Sequence, residues 1–477
     1  MAARRAHEFM DGFRLALPLM ALLVGATAEA RIADAPGIPQ VRIEVTRRAD
    51  LWTAEFIFDR SVTAWVFRRS DLTAETRRPW RQETWSVVTR GVRLQRQGNY
   101  DVLAASGELP RRVTVNFRPV SEGLEQDHPP ALVFTDGSVA LFIGQFDCFP
   151  MDSLSEVRAL PADLNNHPVP AARLKFAFRD AAGPVLLDGK RSATTETTGK
   201  DTYVFFGATR PVETADMIGV FDPQLPDWIQ ESLTRGVPAM IGRYTLELGP
   251  LRRFKPTVLV SWEGPTRGLM SREGGALDGL IALRYSGSGL LKETDEQRHV
   301  GLWFIAHEAA HFWLGQTVGY EYARDAWITE GGAELLAFRA VAEIEPEYDP
   351  RVPLNRAIEE CIGFTENRGV ARAGERGERR AYYACGAVFA LVAEAGSGRS
   401  FYKFARRLVD TNRADGVVSR AEWLAALDAA TLKPDLARDV ARLLDRGVPN
   451  PGEFITDLLV RAGVNLDVDA GGIPRLR

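Results

Sequence analysis

The chain reads as an α+β multidomain protein: an N-terminal antiparallel β domain, a mixed α/β region behind it and a helical C-terminal tail. Three observations predict this. With 477 residues, 45% hydrophobic and 26% charged, it can bury more than one core. Short apolar runs alternate with polar residues from about 36 to 206, and near Asp222-Pro223 the apolar spacing becomes helical.

Residues 1–30 carry a basic start at Arg4, Arg5 and Arg14, an apolar run over 15–25 and a small-x-small site at Ala28-Glu29-Ala30. This predicts a cleaved signal peptide and an exported protein, periplasmic or secreted. The run is interrupted by Pro18 and is about half the roughly twenty residues that a spanning helix needs, so no stable membrane span is expected after cleavage. The predicted β domain covers 31–222, with strands at 41–45, 56–58, 64–67, 85–88, 113–117, 174–178 and 203–206. Gln97-Gly98-Asn99, Asp136-Gly137 and Asp188-Gly189 supply turns. His128 and His167 stand beside prolines and are expected in exposed loops.

Residues 225–248 predict a helix broken or kinked at Gly236-Val237-Pro238, followed by strands at 257–262 and 280–285. From Val300 onward helices dominate. Lys plus Arg number 59 against 63 Asp plus Glu, a net charge of −4, so no basic surplus points to nucleic acid. Three cysteines, Cys148, Cys361 and Cys385, are too few for a disulfide framework, and their odd number leaves one unpaired within a single chain.

One stretch carries specific chemistry. His307 and His311 lie four apart in a run of helix formers, so both imidazoles project from one face and reach one metal. Glu308 lies beside them, where a carboxylate takes a proton from metal-activated water without itself ligating. A catalytic zinc needs a third protein donor and an open position. Glu330 is the candidate, at the start of a second helix for which Thr329 is the expected N-cap. Glu334, one turn on, is placed to accept the N–H of a ligating histidine, the alternative being a carboxylate on the helix surface.

The pattern His307-Glu308-Ala309-Ala310-His311-Phe312-Trp313-Leu314-Gly315, followed by Trp327-Ile328-Thr329-Glu330-Gly331, resembles the aminopeptidase N family of gluzincin metallopeptidases and its glycyl-aminopeptidase relatives. The resemblance implies Zn2+ on His307, His311 and Glu330, with Glu308 as general base. It also implies a thermolysin-like α/β catalytic domain, at 223–395, before the helical region 396–477. Tyr383-Ala384-Cys385-Gly386-Ala387 is similar to the family's Tyr-x-Lys-Gly-Ala, with Cys in place of Lys, which implies that Tyr383 steadies the oxyanion; Tyr382 is the adjacent alternative. In an oxidising compartment Cys385 is expected to pair with Cys361 across a loop of twenty-odd residues.

The family's Gly-Ala-Met-Glu-Asn, whose Glu holds the substrate amine, corresponds to Gly275-Ala276-Leu277-Asp278-Gly279. Asp278 therefore inherits the amine-anchoring role with one methylene less reach, or else it is a turn residue and another acid, Glu273 or Glu334, does the work. The expected activity is peptide hydrolysis, as an aminopeptidase. The alternatives are an endopeptidase or other acyl-bond hydrolase, and a metal-bearing binding module without turnover.

Overall fold

The computed structural model describes residues 37–477 apart from 126, 163, 165–166, 200, 252–254 and 267–269. Residues 1–30, where the sequence predicts a signal peptide, lie outside the described residues. Among them no helix is long and apolar enough to cross a membrane.

The front of the chain builds three sheets. The first, of six strands, has Gln40–Arg48 and Leu51–Phe58 at its centre, joined by a tight turn in which Ala49 takes a positive φ of 52°. Val41, Ile43 and Val45 face inward on one strand and Trp52, Ala54, Phe56 and Phe58 on the other, the alternation of a sheet with one buried face. One expectation fails here. Arg173–Asp180 pairs with Gln40–Arg48 in parallel, so the domain is not wholly antiparallel. More than a hundred residues separate the two strands, and such a long excursion can re-enter in either direction.

A four-stranded sheet contains Ala64–Phe67 between Cys148–Met151 and Tyr100–Ala105, and a five-stranded one contains Val139–Phe142 and Tyr203–Phe206. Phe56, Phe67, Trp85, Phe117 and Phe146 interlock in the core between the sheets, with ring centroids 5.3 to 6.4 Å apart. Arg81 is buried among these rings and bonds Asp101 at 2.6 Å, which compensates its charge.

His167 is exposed as expected, but His128 is buried. Its ring packs against Phe142 and Tyr203, and the Tyr203 hydroxyl donates to the Pro129 carbonyl at 2.8 Å, which pins the Pro129-Pro130 segment on the sheet. Burial, with Arg69 nearby, pushes the imidazole down to about 4.

The next sheet positions the site. Ile218–Phe221, Thr257–Trp262 and Leu280–Ser286 run parallel, and Ser271–Leu277 closes the edge antiparallel to Leu280–Ser286. Thr257–Trp262 is buried along its whole length, as a central parallel strand should be. Ile218–Phe221 precedes Asp222 in sequence yet pairs into this sheet. The helix Asp227–Leu248 runs unbroken through Pro238 and packs against the sheet and the helix Asp295–Ala310.

Most of the remaining chain is helical, and the helices Phe401–Asn412, Arg420–Thr431, Pro434–Asp445 and Pro451–Ala462 share one apolar core with Trp327–Ile344 and Arg380–Gly396. A smaller cluster joins front to back: Phe134, Phe142 and Phe205 against Val220, Leu259 and Leu280. Beside it the buried Asp222 accepts from the backbone N–H of Thr135 at 2.9 Å and of Trp262 at 3.2 Å.

Candidate metal and catalytic centre

The helix Asp295–Ala310 begins at Thr294, whose hydroxyl accepts the Gln297 N–H at 3.2 Å, and Asp295 and Glu296 in its first turn favour the helix dipole. Its last turn carries His307 and Glu308, and His311 caps it. The four-residue spacing brings the two Nε2 atoms to 3.1 Å. His311 Nδ1 lies 2.9 Å from the Leu314 carbonyl, the contact that leaves Nε2 as the free donor to a metal.

Glu330 comes from the helix Trp327–Ile344, and its Oε2 lies 3.4 Å from His307 Nε2 and 3.5 Å from His311 Nε2. Thr329 is not the cap of this helix. Ala326 is, and the Thr329 hydroxyl bonds back to the Ala326 carbonyl from inside the first turn, because the preceding short turn over Ala323–Asp325 already points the chain into the helix.

The donor atoms of His307, His311 and Glu330 lie within 4.8 Å of one another, all buried. Glu330 Oε2 has no hydrogen-bond partner in spite of that burial. A buried carboxylate oxygen left open between two imidazoles fits a divalent cation: two nitrogens and one oxygen are the donor set of a catalytic zinc. Burial alone would raise Glu330, but His311 and His307 hold it well below the usual carboxylate range. Burial would lower His307, yet Glu330 and Glu334 outweigh it and push the ring up to about 10. The same negative field that captures a proton there attracts a metal ion.

Glu334 is fully buried rather than a surface carboxylate. Its Oε2 faces His307 Nδ1 at 3.4 Å and accepts the Trp303 indole N–H at 2.9 Å, while Oε1 accepts from Arg380 at 3.0 Å. Trp303 and Arg380 were not singled out in the sequence. Each stands one turn before a site residue on the same helix, Trp303 before His307 and Arg380 before Tyr383, and that spacing is the signal that finds them.

Glu308 is buried, and this raises its carboxyl against the lowering effect of His307, His311 and the Ala276 N–H. Ala276 belongs to the edge strand Ser271–Leu277, so that strand lies over the base. Tyr383 stacks on His307 with centroids 5.6 Å apart, and its phenol lies in the field of the Glu330 carboxylate. Burial and these carboxylates push the phenol well up, which keeps it a donor. The Tyr382 hydroxyl is committed elsewhere, accepting the Gly374 N–H at 3.0 Å. Tyr320, also not singled out, is half-buried; burial and then the charge of Glu330 push it up to about 12.

Two glycines set the helix separation. A Cβ on Gly331 would sit 2.1 Å from the Gly386 carbonyl carbon, and one on Gly386 would sit 2.5 Å from the Trp327 carbonyl oxygen. The helices Trp327–Ile344 and Arg380–Gly396 thus touch backbone to backbone, which carries Tyr383 to Glu330. Cys361 and Cys385 are disulfide-bonded and tie the helix Arg351–Thr365 to the back of the Tyr383 helix, while Cys148 is free and buried.

Asp278 occupies the two-residue turn between Ser271–Leu277 and Leu280–Ser286, followed by Gly279 at φ +67°. Gln316 clamps this turn, accepting the Gly279 N–H at 3.0 Å and donating to the Leu277 carbonyl at 2.6 Å. Of the two other acids considered for the amine, Glu273 is bonded to Arg284 and Ser271, and Glu334 to His307, Trp303 and Arg380.

No protein-family model matches the chain, and no curated protein matches it. Solved structures do. The M1 zinc metallopeptidase from Deinococcus radiodurans is 15% identical with a TM-score of 0.46, covering 87% of this chain and 94% of that one. A mutant of the Deinococcus radiodurans M1 zinc metallopeptidase bound to a Tyr-Ser-Ala substrate is 12% identical with a TM-score of 0.47, covering 86% and 93%. A two-domain M1 zinc metallopeptidase mutant bound to L-arginine is 14% identical at 0.46, covering 87% and 95%. Solved structures to which this chain is similar over most of its length thus include M1 zinc metallopeptidases.

Proposed function

We propose that the protein is an exported zinc-dependent peptidase, acting as an aminopeptidase. The observation that carries the zinc reading is the open Oε2 of Glu330, buried and facing both imidazoles. Zinc held there supplies Lewis-acid polarisation of a peptide carbonyl and acidifies a water.

The chain's own residues divide the rest of the work. Glu308 accepts the proton of the attacking water and returns it to the departing amine, a role suited to a buried carboxyl raised above its ordinary value. Tyr383 donates its hydroxyl hydrogen to the carbonyl oxygen as that oxygen becomes negative. Glu334, itself fixed by Trp303 and Arg380, holds the His307 ring in place. Among the described residues the edge strand Ser271–Leu277 has no further strand beside it, so an extended peptide can align there with its carbonyl toward Glu308. Asp278, at the far end of that strand, is the proposed anchor for a free α-amine. The small-x-small site after a basic and apolar leader supports export.

The test is turnover of aminoacyl reporters beside their N-acetylated versions, with Glu308→Gln as control. An aminopeptidase cleaves the free-amine set, and Glu308→Gln keeps zinc while losing roughly 10²- to 10⁴-fold in kcat. Equal cleavage of blocked and free substrates would instead favour the endopeptidase, and near-normal turnover by Glu308→Gln would move the base elsewhere.

A further inference from the structure

Arg81 and Arg272 are the arginines buried in the described structure. Arg81 has Asp101. Among the described residues Arg272 has no carboxylate within ion-pair reach, and residues 267–269, immediately before Met270, add an arginine but no acid. Its Nη2 donates to the Gln297 carbonyl at 3.1 Å and its Nη1 contacts the Met270 sulfur at 3.6 Å, while Nε is left without a partner. The guanidinium lies 5.9 Å from the Tyr285 ring centroid, and the Tyr285 hydroxyl, also buried, is likewise unpartnered.

Both side chains line one recess, walled by Trp228, Leu233, Val237, Leu302 and Ile305. Arg298 at its rim is already balanced by Glu293, Asp295 and Glu345. The recess has room for one water or one monatomic ion. A water would satisfy the two donors and leave the buried positive charge uncompensated, which is the costly state.

We propose that this recess binds a single small monovalent anion of chloride size, held by the Nε–H of Arg272 and the hydroxyl of Tyr285. Arg272 and Tyr285 are cross-strand partners, so the anion clips the start of the edge strand to its neighbour. Four residues further along, the same strand presents Ala276 to Glu308. The site lies apart from the metal donors, and its test requires no turnover, so it stands or falls independently of the peptidase reading.

The experiment compares thermal melts of the full protein in sodium chloride, sodium bromide and sodium gluconate at equal ionic strength and pH. Gluconate is too large for the recess. Chloride and bromide should raise Tm saturably above gluconate by a few degrees, and the difference should vanish in Arg272→Gln and in Tyr285→Phe. Bromide-soaked crystals should show an anomalous peak in the recess. Coincident chloride and gluconate curves, a chloride-specific rise that survives in the variants, or a recess without bromide would each overturn the proposal. If Arg272→Gln does not fold, Tyr285→Phe and the bromide peak decide it.

Discussion

Tyr382 and Tyr383 are adjacent in sequence and differ in what their hydroxyls can do. The Tyr382 hydroxyl is occupied by the Gly374 backbone, whereas Tyr383 lies on His307 with its phenol in the field of Glu330. Tyr383→Phe should therefore lower kcat by about 10²-fold with little change in KM, since its donor acts on charge that develops during reaction. Tyr382→Phe should leave both nearly unchanged, and steady-state kinetics of the pair check this. His128 makes a separate prediction about acid. Its folded pKa of about 4 lies below the ordinary 6.5, so the stability it contributes is fully present above 6.5 and is lost as pH falls toward 4. Asp127 beside it works in the opposite sense: burial raises it to about 6, which favours the folded state as pH falls through that value. Replacing His128 with Gln should remove from the acid-induced loss a term on the order of 3 kcal/mol, read as a smaller drop in Tm between pH 7 and pH 4.5 than in wild type.

At the scale of elements, the site depends on how closely two helices approach. Gly331 and Gly386 let the helices bearing Glu330 and Tyr383 meet at backbone distance, so Gly386→Ala should force them apart. The expected result is a loss of roughly 1–3 kcal/mol in stability together with a fall in kcat, because Tyr383 withdraws from Glu330. Zinc content should be retained, since Gly386 lies on neither ligand helix. Metal analysis beside a melt checks the pair of effects. The ligand helix itself was legible in the sequence because a spacing of four fixes which side chains share a face, whatever surrounds the helix. The edge strand was not: Ser271-Arg272-Glu273-Gly274-Gly275-Ala276-Leu277 has no β-branched residue. Gly274 sits at φ +139° where a Cβ would meet the Ala282 carbonyl at 2.0 Å, so the strand exists by virtue of its partner. The hairpin of Val92–Gln97 and Tyr100–Ala105 was legible only as its turn, since Arg93, Gln95 and Arg96 dilute the apolar alternation.

The whole molecule is held together by contacts between residues remote in sequence. Asp222 reaches Thr135 in the front sheets and Trp262 in the sheet behind, and Arg284 of that sheet bonds the Ser121 carbonyl as well as Glu273. The burial of His128 follows from the same long-range assembly, because Tyr203, some seventy residues on, closes over it. Local pattern carries no information about such a partner, which is why an exposed loop was expected there. The candidate metal centre is assembled in the same way, from one helix supplying two donors, a second supplying the third, and a fourth side chain, Glu334, that faces His307. The central claim is that these residues hold a zinc ion, and metal content per chain, measured on the purified protein and on Glu330→Ala, tests it most directly. The account predicts one zinc per chain in wild type and a large loss in the variant, because two imidazoles alone leave the site open to competing water. Full zinc in Glu330→Ala, or none in wild type supplied with zinc, would contradict it.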